Sequence, residues 1–158
     1  MFIEVISAFF VALSFGFLFN IKGRYLILAG IGGSIGWFVY KLSLSFNYSE
    51  SFSMFLCAVA FSIYCEICAR KFHTPVTLLS VCALIPVVPG YGVYKSMYAF
   101  LIGDYINAID YSVTTLYNAG ALALGVILVS AIFKFFKKYS RVKGGVKKLP
   151  QIKNRCRH

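Results

Sequence analysis

"VTLLSVCALIPVVPGYGVYKSMYAFLIGDY", residues Val76 to Tyr105, begins as an apolar helix and then breaks. The run from Val76 to Val88 has 13 residues. As helix it would reach roughly 20 Å, against a bilayer hydrocarbon core of about 30 Å. Alone, it falls short of a span. Pro89 lacks a backbone donor and Pro86 disturbs the turn before it, while Gly90 and Gly92 permit conformations closed to other residues. In lipid the freed amides and carbonyls must face protein or water. A helix restarting near Tyr91 therefore directs unpaired N–H groups, and the positive end of its dipole, into a cavity. Discontinuous helices of this kind form midplane substrate sites in transporters and suit a carboxylate; the alternative is a structural kink. On the first reading, Pro86, Pro89, Gly90, Tyr91 and Gly92 are candidate substrate-binding residues.

The rest of the chain suits the same surroundings. Of its 158 residues 59% are hydrophobic and 13% charged, and the mean hydropathy is +0.77. So few charges cannot cover a soluble domain of this size, so the fold class is an all-α integral membrane protein. About five transmembrane helices are expected: Phe2–Phe19, Tyr25–Tyr40, Phe52–Ala69, a fourth interrupted at Pro89-Gly90, and Thr114–Phe136. The first run is expected to be a span rather than a signal peptide, because Glu4 sits in it and no basic residue precedes it.

Charge sets a boundary and an orientation. Ten of the 16 Lys and Arg follow residue 133, in a stretch with no acid and with Gly144, Gly145 and Pro150. Residues 1–136 are thus expected to form the membrane domain and 137–158 a polybasic cytoplasmic tail that meets anionic lipid headgroups. Nothing aromatic or folded accompanies the charges, so no nucleic acid is expected as partner. With the N-terminus outside, Lys22, Arg24, Arg70, Lys71 and the tail lie inside, and only Lys41 and Lys95 outside. A multi-pass membrane protein with a cytoplasmic C-terminus is expected.

Polar and small residues within the spans mark the working parts. Gly32, Gly33 and Gly36 give the second span a small-residue face for close helix packing, within the chain or with a partner. Glu66 stands four residues before Arg70, which makes an intrahelical ion pair or a carboxylate at a cavity mouth. Asp104 shares a helix face with Asn107 and Tyr111. It is either an acid at the outer interface or a protonatable group in a polar cavity. Asp104, Glu66 and Asn107 are therefore the candidate coupling and cavity residues. Cys65 and Cys68 lie on a membrane helix, where packing is the simpler role than redox chemistry. His73 and His158 give no metal-ligand spacing, and no cofactor is implied.

In order along the chain stand Ser14-Phe15-Gly16-Phe17, Phe19-Asn20, Gly36-Trp37, Glu66 with Ala69-Arg70 and Thr74-Pro75, Ile85-Pro86-Val87-Val88-Pro89-Gly90, and Gly103-Asp104-Tyr105. Over about residues 10–130 this resembles the small, C-terminal-type half of the bacterial threonine/serine exporter family. The resemblance implies a five-helix module acting with a larger membrane subunit. It also implies gradient-driven export of small carboxylates: threonine- or serine-type amino acids, or dicarboxylates such as succinate. The competing reading is a non-transporting scaffold that stabilises the larger partner. An enzyme is not expected, because the chain offers no nucleophile–base constellation.

Overall fold

The computed structural model describes residues 2–146 apart from Lys22 and His73, with side chains as far as Phe136. Every regular element among them is helical: α1 (Phe2–Leu18), α2 (Arg24–Ser45), α3 (Glu50–Phe72), α4 (Val76–Leu84), α5 (Gly90–Leu101) and α6 (Tyr105–Val146). A 3-10 turn, Ile85–Val87, prolongs α4. By length and composition α2, α3 and the 105–136 part of α6 can each cross a membrane. Val76–Val87 and Gly90–Leu101 qualify together as a fourth crossing, bent by 49° at the break. The expected count of five also needs α1, which is apolar but only 17 residues long.

The last helix departs from expectation at both ends. It starts at Tyr105, nine residues before Thr114, and its backbone runs to Val146, past Phe136. The segment after the break is accordingly a helical hairpin of α5 and the start of α6. The remainder of the basic tail, 147–158, lies outside the described residues.

Short connections end α1, α2 and α5 by one device. Asn20 and Asn47 have φ of 58°, and Gly103 has φ of 81°. Each occupies the left-handed position after its helix, which Asn and Gly tolerate best. The paired bonds of that motif are present: Ile21 N–H to Gly16 O at 3.0 Å, Tyr48 N–H to Ser43 O at 3.4 Å, and Asp104 N–H to Ala99 O at 3.0 Å. Ile21, just after the first of these, is buried.

Packing is organised by α2, which lies against α1, α3 and α4, while α6 lies against α3 and carries α5. The glycines set these distances. A Cβ at Gly33 would come within 2.8 Å of Ala12 Cβ on α1 and 3.3 Å of Pro86 Cγ. Gly32 meets Ala83 and Tyr64, and Gly36 meets Cys57, Phe61 and Val87. The small-residue face is thus used within the chain, with Cys57, Phe61, Cys65, Cys82 and Val87 completing the dry centre. On α6, Gly125 would place a Cβ 2.6 Å from Ala58 Cβ and 3.0 Å from the Phe55 carbonyl, so α3 and α6 touch backbone to backbone there.

Candidate functional site

The break opens a cavity of about 600 Å³. Its walls include Pro86, Pro89, Gly90, Tyr91 and Gly92, so all five residues singled out at the break converge on one space. Opposite them stand Trp37, Tyr40 and Lys41 near the end of α2, Glu50 and Met54 at the start of α3, and Asp110, Tyr111, Thr114, Thr115 and Asn118 on α6. The cavity therefore lies at the end of the bundle where α2 stops and α3 begins. Pro86 and Val87 already pack on Gly33 and Gly36, so the 12 residues of Val76–Val87 carry the chain past the bundle centre before it breaks.

Local sequence explains why the break is lined rather than filled. Pro89 precedes the first residue of α5, and no side chain caps that helix. A Cβ at Gly92 would collide with Thr115 Oγ1, so α5 rests directly on α6 at that point. At Gly90 a Cβ would meet nothing within 4 Å. The first turn of α5 thus borders open space with its backbone, its positive dipole end toward the cavity.

The cavity mixes apolar and polar walls and bears charges of both signs. Lys41 Nζ is 3.1 Å from Glu4 Oε2 and 5.9 Å from the Trp37 ring. Lys95 Nζ lies 5.0 Å from the Tyr91 ring and 5.1 Å from that of Tyr111. Among the described residues Lys95, Glu50 and Asp110 make no ion pair. Asn118 is buried and accepts a 2.7 Å hydrogen bond from Ser51 Oγ, which ties α6 to the start of α3 at the cavity edge. The Trp37 indole nitrogen is buried without a partner among these residues.

The profile of the family described as "Threonine/Serine exporter, ThrE" matches residues 4–132. The chain belongs to that family. No curated protein matches it, and no solved structure does. It is therefore a multi-pass membrane protein of an exporter-type transporter family.

In this exporter-family chain the other expected site residues go elsewhere. Asp104 caps α6: its Oδ1 accepts the Asn107 backbone N–H at 3.4 Å and its Oδ2 the Asn107 side-chain amide at 2.6 Å. Neither residue lines the cavity. Glu66 is buried and takes the Arg70 guanidinium at 3.2 Å. Arg70 also donates to the Phe133 carbonyl at 3.1 Å and stacks on that ring, locking α3 to α6. Glu66 is 16 residues along α3 from Glu50, roughly 24 Å, so it sits at the opposite end of the bundle.

Sequence reading passed over Trp37, Lys41, Glu50, Lys95, Asp110 and Asn118 as site residues. A signal was present on α6, where Asp110, Tyr111, Thr114, Thr115 and Asn118 recur at helical spacing and form one polar stripe. Lys41 and Glu50 gave none, because they flank a connection and read as interfacial charges.

Proposed function

We propose that the chain is the small subunit of a secondary-active exporter of small carboxylate metabolites, acting with a larger membrane subunit. The observation that carries this reading is the cavity at the Pro89-Gly90 break, where an uncapped helix start meets charges of both signs. The helix start and the lysines suit a carboxylate. Glu50 and Asp110, unpaired among the described residues, suit an ammonium group, which favours threonine- or serine-type amino acids over a dicarboxylate such as succinate. These two acids also replace Asp104 and Glu66 as candidates for coupling to an ion gradient, because only they line the cavity. The membrane is the inner membrane of the cell, the N-terminus is outside, and the basic tail meets anionic lipid.

The test is efflux from cells loaded with a threonine- or succinate-releasing precursor and expressing this chain with its larger partner. Gly90→Leu is expected to abolish release at unchanged complex levels, since a side chain there enters open space rather than the packed interior. Unchanged release would remove the cavity from the transport path. If release persists without this chain whenever the partner is otherwise stable, the chain is a scaffold.

A further inference from the structure

Among the described residues, one cation of the cavity is claimed by no acid. Lys41 is engaged with Glu4, whereas Lys95 makes no ion pair among the described residues. Lys95 is nevertheless not free in solvent, being half-buried with its ammonium near two aromatic faces. Those faces belong to different helices, Tyr91 on α5 and Tyr111 on α6. The aromatic faces compensate part of the lost hydration of the ammonium, with room left for a counter-anion. Tyr91 also lies in the first turn of α5, the turn whose backbone borders the cavity at Gly90. Lysine and helix dipole thus raise the potential on one wall, while Glu50 and Asp110 belong to other elements.

Resting on the reading of this cavity as the substrate site, we infer that Lys95 is the residue that binds the substrate carboxylate. Tyr91 and Tyr111 hold its ammonium in position, and the absence of a side chain at Gly90 leaves the approach open. Lys41 is set apart from this role by its carboxylate partner on α1.

Trp37 is the single tryptophan of the chain and lines the cavity, so its emission reports occupancy. The full-length chain, purified in lipid nanodiscs, is titrated with L-threonine, succinate and threoninol, the last lacking the carboxylate. The wild type is expected to respond saturably to a carboxylate compound. Lys95→Gln should raise the half-saturation concentration about tenfold or more, the usual weight of a hydrogen bond to a charged group. Lys95→Arg should stay within about threefold, because the charge is kept, and threoninol should not distinguish the variants. Should Lys95→Gln not fold, Tyr111→Leu removes one wall of the cradle and should give a shift of about threefold. Saturable wild-type binding with no shift in these variants overturns the assignment, as does a shift confined to Lys41→Gln. No saturable response from the wild type to any carboxylate overturns the cavity as the substrate site, a separate failure.

Discussion

Lys41 Nζ lies 3.1 Å from Glu4 Oε2, joining the last turns of α2 to the first turn of α1 across 37 residues of sequence. The pair sits where the main cavity adjoins a second, apolar hollow of about 350 Å³, and Trp37 and Pro86 line both spaces. Lys41 and Glu4 keep 30% and 43% of their side-chain surface, so solvent screens the attraction. A double-mutant cycle of Glu4→Gln and Lys41→Met, read by thermal unfolding in detergent, should find the two effects close to additive. Strong non-additivity would mean that the pair is shielded from solvent.

The glycines of the bundle should differ sharply in tolerance. Gly125→Val drives a side chain into Ala58 and the Phe55 carbonyl and should cost about 1–3 kcal/mol, because backbone cannot move aside cheaply. Gly33→Leu should behave likewise against Ala12 of α1. Gly120, on the same helix as Gly125, meets nothing within 4 Å. Gly120→Ala should therefore be neutral or stabilise by up to about 1 kcal/mol. Unfolding in graded denaturant orders the three variants.

At the start of α6, Asp104→Ala removes the cap on Asn107 and should lower stability by about 1 kcal/mol, with efflux unchanged after correction for protein level. Asp104→Asn keeps an acceptor at the cap and should be close to wild type in both. Loss of efflux in Asp104→Asn at normal stability would restore a coupling role to this acid.

Glu66→Gln separates the same alternatives at the other end of the bundle. It takes away the charge that Arg70 meets at 3.2 Å but leaves the bond from Arg70 to the Phe133 carbonyl. The expected result is a loss of about 1–3 kcal/mol, because Glu66 is buried, with the rate of release per complex preserved. Efflux measured alongside complex abundance decides it.

Which parts of this molecule sequence could disclose follows from the range of the forces involved. Lipid compatibility, the helical class, the failure of Val76–Val88 to span alone and the break at Pro89 depend on composition and on residues near one another in the chain. So does the pairing of Glu66 with Arg70, one helical turn apart. Asp104 shows the limit of such reasoning. Its spacing to Asn107 was legible, but whether that face lined a cavity or capped a helix depended on where α6 began, and the left-handed turn at Gly103 settles that.

Tertiary structure alone decided what the break faces. Lys41, Glu50, Lys95 and Asp110 come from four helices and reach one cavity only because close contacts at Gly33, Gly36 and Gly125 set how the helices pack. Such approach depends on shape matched between distant segments, and no periodicity along a single helix encodes it. Sequence therefore fixed that a broken helix must have a polar neighbour, and packing chose which one.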